Sequence, residues 1–329
     1  MNRRGFFTAA AAGVLAPAFA RAQVDARGAD AQGPAQTIAP APTGLVGELH
    51  LPAGPGRAPG LLILGGSEGG HGAAYHFAQV FAARGFASFG LAYFGDPGVP
   101  ATLENVPLEY FTRAIDWLAA QPGVDPRRIG VLGGSKGAEA ALLIAARDRR
   151  IKAVVAGAPS SVAWQGINMR NPANPAPSWT LGGKPIAFAA YDGSVPFHGV
   201  LDMYQRSLAK APPEAAIAVE RIQGPVLLIS GRDDKLWPST LMGEAIIARL
   251  EKAHVRYGHR HLAYDAAGHA CFGEPPAAGM KIPPQIVQLG GTIEGNVAAR
   301  ADSWPKVLAF LDETLRPAGA SASRGSGPV

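Results

Sequence analysis

The pentapeptide Gly133-Gly134-Ser135-Lys136-Gly137 constrains this chain more than any other feature. It follows an apolar run, Arg128-Ile129-Gly130-Val131-Leu132, and precedes an alanine-rich helical stretch, Ala138 to Arg147. A strand that turns abruptly into a helix holds the residue at the turn in a strained conformation, with its side chain presented at the strand end. Glycines flank that residue because bulkier side chains would collide there. In that context G-x-S-x-G presents a serine hydroxyl, here Ser135, as a nucleophile. A tight turn with a solvated serine fits the same five residues, and the chain has 42 Gly, so the remaining sequence must decide.

Short apolar runs rich in β-formers alternate with helical patterns along the chain. The expected strands are Leu45–Leu51, Gly60–Leu64, Phe86–Ala92, Ile129–Leu132, Ile151–Ala156, Val226–Ser230 and His261–Tyr264. The expected helices are Ala73–Arg84, Leu108–Ala120, Ala138–Ala146, Ser239–Lys252 and Ala298–Leu315. Continuous apolar strands imply burial on both faces, hence an α/β architecture with a mostly parallel sheet covered by helices. Ligands of such sheets bind beyond the carboxyl ends of the strands. Residues 158–224 interrupt the rhythm with many Pro, Gly, Asn and Trp residues, including Asn171-Pro172-Ala173-Asn174-Pro175-Ala176-Pro177. A connection of that length is unusual and commonly functional, so the expectation is a lid-like insertion or pocket wall.

A serine hydroxyl is a weak nucleophile near neutral pH. It needs a base to accept its proton and an acid to orient that base. In this fold class the acid and then the histidine follow the serine along the chain. The segment Val226 to Ser230 runs through Gly231-Arg232 into Asp233-Asp234. Asp234, three residues past Gly231, is the expected acid, and Asp233 is the alternative, with turn or helix capping as its other role. Gly268-His269, directly after the last strand, offers the base. Among the other histidines, His50 and His261 lie on strands, His254 and His259 flank a turn, and His198 sits in the insertion. His71 and His76 follow the glycine loop and could touch a substrate. Acyl transfer also needs donors for the oxyanion. The backbone N–H of Lys136 is one. Ser67 or Glu68, in the loop Gly65-Gly66-Ser67-Glu68-Gly69-Gly70 after the strand Leu61–Leu64, supplies the second. The Lys136 side chain reads as a surface group at a helix start. That glycine loop lacks the GKS/T of a phosphate-binding loop and does not meet the dinucleotide spacing.

The N-terminus, Met1-Asn2-Arg3-Arg4-Gly5-Phe6-Phe7, leads into an apolar run from Thr8 to Ala20 and then Ala20-Arg21-Ala22. This reads as a twin-arginine-type signal peptide over 1–22, with cleavage leaving Gln23 first. The run is too short and too alanine-rich to span a membrane comfortably, so no stable membrane anchor is expected after cleavage. Export would place the protein in the periplasm or outside the cell, with the twin-arginine machinery as a partner. Residues 1–22 carry Arg3, Arg4 and Arg21 and no acidic residue, so the formal charge of +5 falls by three to +2 for the rest of the chain. That balance, without a long Lys or Arg run, argues against a nucleic-acid partner. A single cysteine, Cys271, rules out an internal disulfide and reads as a packed side chain. No metal-ligand spacing occurs, His259 and His261 lacking a third ligand, and no cofactor is expected. Residues 23–43 read as a flexible linker, 44–316 as one hydrolase domain and 317–329 as a disordered tail.

Taken together, these motifs describe a serine hydrolase, and several carry a family likeness. Gly133-Gly134-Ser135-Lys136-Gly137-Ala138-Glu139 resembles the nucleophile segment of the acyl-CoA thioesterase and bile acid-CoA:amino acid N-acyltransferase family, in its C-terminal hydrolase domain. Gly66-Ser67-Glu68-Gly69-Gly70 is similar to that family's oxyanion loop. Asp234, and Gly268-His269 followed by Glu274-Pro275-Pro276, resemble its acid and histidine regions. Gly290-Gly291-Thr292, Asn296 and Ala299-Arg300-Ala301-Asp302-Ser303-Trp304 resemble the end of bacterial members. Dienelactone hydrolases look similar more distantly, with a cysteine as the usual nucleophile. The resemblance spans about residues 60–316 and implies an α/β-hydrolase fold and a small-molecule acyl ester or thioester as substrate. In the family a serine at the nucleophile goes with hydrolysis and a cysteine with transfer to amino acids, so hydrolysis is implied here. The alternatives are an exported carboxylesterase or peptidase of the same fold, or a non-catalytic binding protein.

Overall fold

The computed structural model describes residues 37–168, 171 and 175–316. The expected signal peptide, most of the linker and the expected tail lie outside the described residues. In chain order the elements are β1 (Thr37–Pro40), β2 (Val46–Leu51), β3 (Ala58–Leu64), α1 (Gly72–Ala82), β4 (Ala87–Ala92), β5 (Val106–Pro107), α2 (Leu108–Ala120), β6 (Val124–Gly134) and α3 (Lys136–Ala145). There follow β7 (Ile151–Gly157), β8 (Trp179–Leu181), β9 (Lys184–Pro185), α4 (Val200–Ala209), β10 (Val226–Gly231), α5 (Ser239–Lys252), β11 (His259–Tyr264) and α6 (Ile293–Leu315).

Eight strands form the main sheet in the order β1-β2-β4-β3-β6-β7-β10-β11. β1 and β2 run antiparallel to their neighbours, and β4 to β11 pair in parallel. Side-chain alternation along the central strands explains the layers. Leu62 and Leu64 of β3, with Val226 and Leu228 of β10, pack on the face covered by α2, α3 and part of α5. Leu61 and Ile63, with Leu227 and Ile229, pack on the opposite face, against α1 and α6. A strand buried on both sides has no polar face, which is why these segments read as unbroken apolar runs. Truncating such a residue, for example Leu61→Ala, is worth about 2–5 kcal/mol.

Element boundaries depart from the sequence expectation at several places, among them the start of β6, at Val124 rather than Ile129. Thr37–Pro40, within the stretch read as linker, forms an edge strand on β2, held by main-chain pairing that side-chain periodicity does not announce. α6 begins at Ile293 rather than Ala298, because the Thr292 hydroxyl accepts a hydrogen bond from the Gly295 N–H at 2.9 Å and caps it there. The insertion is also ordered where it is described. It contributes β8 and β9 to a three-stranded sheet with β5, adds α4, and buries Trp164, Trp179 and Tyr204.

Candidate active site

The carboxyl ends of β3, β6, β10 and β11 lie on one edge of the sheet, and each sequence-selected residue follows one of them. At the end of β6, Ser135 has φ 55° and ψ −121°. That left-handed conformation costs a non-glycine residue on the order of 1–3 kcal/mol, so the surroundings must impose it. Two glycines allow it. A Cβ on Gly133 would stand 2.3 Å from the Gly137 carbonyl oxygen, and one on Gly137 would stand 2.4 Å from the Gly65 oxygen. The spacing of the motif is therefore a packing requirement: helix α3 starts flush against its own strand and against the loop after β3. The Ser135 N–H is tied to the Gly157 oxygen of β7 at 2.8 Å. Ser135 is 5% exposed and lies inside a pocket rather than on the open surface.

Asp234 and His269 meet behind that pocket. The Asp234 Oδ2 accepts from His269 Nδ1 at 2.8 Å and from the Ser239 hydroxyl at 2.6 Å. Its Oδ1 accepts from the N–H groups of Leu236 and Trp237 at 2.9 and 3.2 Å. Four donors thus fix a buried carboxylate and present one oxygen to the imidazole. Asp233 points elsewhere. It pairs with Lys235 at 2.5 Å and accepts from the Gly291 N–H at 2.9 Å. Lys235 and that N–H hold its carboxyl below the ordinary range. The Trp237 ring stands edge-on to His269, with centroids 5.7 Å apart.

The loop after β3 closes the other side. Gly65, Gly66 and Glu68 line the pocket together with Ser135 and His269. Ser67 and Lys136 adjoin lining residues without lining it themselves. The Tyr93 hydroxyl donates to the Gly65 oxygen at 2.7 Å and pins the loop from beneath. The backbone N–H of Lys136 opens α3 and so has no intrahelical acceptor.

The Lys136 side chain is not the surface group that its position at a helix start suggests. It is 1% exposed. Its ammonium pairs with Glu139 at 2.5 Å, donates to the Ser178 hydroxyl at 2.9 Å, and lies 5.5 Å from the Trp179 ring centroid. Glu139 in turn accepts from the Trp164 N–H at 2.9 Å and the Trp179 indole at 2.6 Å. The first turn of α3 faces the insertion, not solvent, and the buried ion pair within that turn is tied to the insertion by hydrogen bonds with Ser178, Trp164 and Trp179. Of residues 158–224, only Ala158 is among the described lining residues of the Ser135 pocket, while Trp164, Ser178 and Trp179 bond to the first turn of α3.

Further residues complete the site, some of them (Gly290, Gly291, Asn296 and Arg300) noted in the sequence only for the family likeness and given no role there. Phe77, Phe272 and Arg300 form its walls. Gly290 bridges to Asp234 and Gly291 to Ala267, while the Leu289 oxygen receives the N–H groups of both His269 and Lys235. Asn296 accepts from the Gly268 N–H at 3.0 Å and donates to the Gly290 oxygen at 3.0 Å. Residues 289–296 therefore clamp the acid loop to the histidine loop. The adjacent glycines Gly290-Gly291 were the local signal for a turn here, and both have positive φ. Of the remaining histidines, His71 pairs with Asp96, His261 bonds to the Ser230 hydroxyl at 2.8 Å, and neither lines the pocket. Cys271 is fully buried in the core, and its thiol is pushed up to about 12 by burial, which leaves it inert. Among the described residues no cluster suits a metal ion, and no helix is long and apolar enough to cross a membrane.

Comparison with known proteins adds an independent line. A family model described as BAAT / Acyl-CoA thioester hydrolase C terminal matches residues 106–317. Acyl-coenzyme A amino acid N-acyltransferase 1 of Mus musculus is 31% identical over 281 residues, covering 83% of this chain and 64% of that protein. Acyl-coenzyme A thioesterase 1 of Homo sapiens is 30% identical over 275 residues, covering 82% of this chain and 63% of that protein. The chain thus spans less than two-thirds of the length of these curated relatives. Among solved structures, a Mycobacterium tuberculosis puromycin-hydrolyzing peptidase aligns with a TM-score of 0.53 at 16% identity, over 85% of this chain and 39% of that one. A dienelactone hydrolase-like promiscuous phosphotriesterase from metagenomic libraries aligns with a TM-score of 0.50 at 19% identity, over 85% of this chain and 98% of that one. These structural likenesses speak to the fold, an α/β-hydrolase.

Proposed function

The chain belongs to the BAAT / acyl-CoA thioester hydrolase C-terminal family, and from that premise we propose that it is a serine hydrolase of ester or thioester bonds, working through an acyl-enzyme. The observation that carries this reading is the 2.8 Å bond from His269 Nδ1 to Asp234, with His269 and Ser135 lining one pocket. With Nδ1 held by Asp234, Nε2 is the nitrogen that takes the Ser135 proton as the hydroxyl attacks an acyl carbonyl. The N–H groups of Lys136 and of Ser67 or Glu68 stabilise the oxyanion. The imidazolium protonates the leaving thiol or alcohol, and water activated by His269 then releases the acid. A serine rather than a cysteine at position 135 favours hydrolysis over transfer to an amino acid. The names of the relatives make acyl-CoA a substrate to test beside simple esters.

The test compares hydrolysis of matched oxygen esters and acyl-CoA thioesters by the protein and by Ser135→Ala. Ser135→Ala should lower kcat by about 10³-fold or more; wild-type turnover in that variant would overturn the assignment. Asp234→Asn should cost on the order of 10²–10⁴-fold and Asp233→Asn less than about threefold. The reverse order would move the acid by one residue. We further propose that residues 1–22 direct twin-arginine export to the periplasm or beyond. A mature N-terminus at Gln23, read by mass spectrometry of the exported protein, is the expected result, and an uncleaved cytoplasmic chain the contrary one.

A further inference from the structure

Glu68 stands in the pocket where a carboxyl is least expected. Its Oε1 accepts from the Gly66 N–H at 2.8 Å. Its Oε2 is buried and has no hydrogen-bond partner among the described residues. A Cβ placed on Gly66 would stand 2.7 Å from that Oε2 and 3.3 Å from the Cβ of Ser135, so carboxyl and nucleophile face each other across the glycine. An acyl carbonyl attacked by Ser135 develops negative charge in this space, and an ionised carboxylate beside it would repel that charge. A neutral carboxyl would do the opposite.

We propose that Glu68 is a further catalytic residue, whose protonated carboxyl donates a hydrogen bond from Oε2 to the oxyanion of the tetrahedral intermediate. The proposal rests on the serine-hydrolase reading above. In the acylation step the Ser135 Oγ–carbon bond forms, the carbonyl π pair moves onto oxygen, and the hydroxyl proton passes to His269. The Glu68 proton stays on Glu68 throughout. It stabilises the oxyanion and is not consumed. Oε1 is already an acceptor for Gly66, which places the proton on Oε2.

The surroundings agree. Burial, the dominant influence, holds the Glu68 carboxyl above the ordinary carboxylate range, opposed by its own N–H, by the Gly66 N–H and by His269. A buried carboxylate oxygen without a donor is costly, whereas the neutral form needs only an acceptor. The titratable groups around it are Tyr93 beneath the loop, His269 across the pocket and Arg300 on α6. The Tyr93 hydroxyl donates to the loop and is itself pushed well up by burial and by Glu68. Arg300 turns its Nε to the Ala270 oxygen at 2.7 Å.

The experiment measures kcat and the pH profile of kcat/KM for wild type, Glu68→Gln and Glu68→Ala, with Ser135→Ala beside them and near-UV circular dichroism as a check on folding. Glu68→Ala should lose about 10²-fold in kcat, the usual cost of one oxyanion donor. Glu68→Gln, whose amide can accept from Gly66 and still donate, should stay within about tenfold of wild type. Wild-type activity should fall on the alkaline side as Glu68 ionises, and Glu68→Gln should lose that alkaline limb while keeping the acidic limb. A Glu68→Gln as inactive as Glu68→Ala would mean that the carboxylate form acts, and would overturn the proposal. So would a Glu68→Ala of wild-type rate and profile. If Glu68→Ala fails to fold, the profile of Glu68→Gln decides alone. Residual turnover in Ser135→Ala would instead sink the serine reading.

Discussion

Two glutamates sit on opposite sides of the Ser135 turn, and their surroundings could hardly differ more. Behind the turn, Glu139 meets an ammonium, a backbone N–H and an indole N–H, all within hydrogen-bond distance. In front of it, Glu68 has only nearby loop N–H groups for its carboxyl, and its Oε2 has no hydrogen-bond partner among the described residues. A buried charge with all its partners holds parts together. A buried acid with a spare oxygen facing a pocket is available to whatever enters. Brace and chemistry thus stand on opposite sides of one serine.

The sharpest way to break the brace is Glu139→Ala. It strands the Lys136 ammonium in a dry site and should cost about 3–5 kcal/mol in urea unfolding. A loss below 1 kcal/mol would mean that the pair holds nothing. Replacing both partners together, Lys136→Met with Glu139→Leu, should cost clearly less than Glu139→Ala alone, about 0–2 kcal/mol, because no charge is left unpaired. A double variant as unstable as the single one would assign the loss to the indole and peptide contacts instead.

On the pocket side the effect on stability is smaller and depends on pH. The folded carboxyl of Glu68 titrates above its ordinary value of 4.5, so between that pH and its folded value the native state holds a proton that the unfolded chain has released. Stability conferred by that proton is complete below 4.5 and is lost as pH rises through the folded value. Glu68→Gln should remove this decline, so its unfolding free energy should overtake wild type as pH rises. Parallel stability curves for the two would place the carboxyl in water. The smallest effect is expected from Tyr93→Phe, which removes only the hydroxyl under the loop. It should cost about 0.5–1.5 kcal/mol and lower kcat less than Glu68→Ala does.

Much of this molecule was legible from the chain. α2 and α5 fall where periodicity places them, and the core strands shift by a residue or two apart from β6, which starts five residues early at Val124, because burial on one or both faces writes a local repeat into the sequence. Ser135, Asp234 and His269 could be selected because each follows a strand whose carboxyl end is known once the sheet is taken as parallel. The insertion was less legible. Its β8 and β9 are too short to carry a repeat, α4 buries Met203, Tyr204 and Ser207 on one face but was not picked out from the chain, and much of its order comes from Trp164 and Trp179 packing onto distant residues.

Local pattern alone was enough for the alternation of elements, the edge of the sheet where the loops gather and the order of the residues placed there, since all of these follow from stretches a few residues long. It took contacts between distant segments to turn Lys136 inward, to let residues 289–296 clamp the acid loop to the histidine loop, and to fold the Glu68 carboxyl back towards Ser135. Each of those depends on which groups arrive from elsewhere in the chain. Ser178 is 42 residues from Lys136, and Gly291 is 58 from Asp233. A side chain's charge state and direction are set by such neighbours, and no local pattern records them.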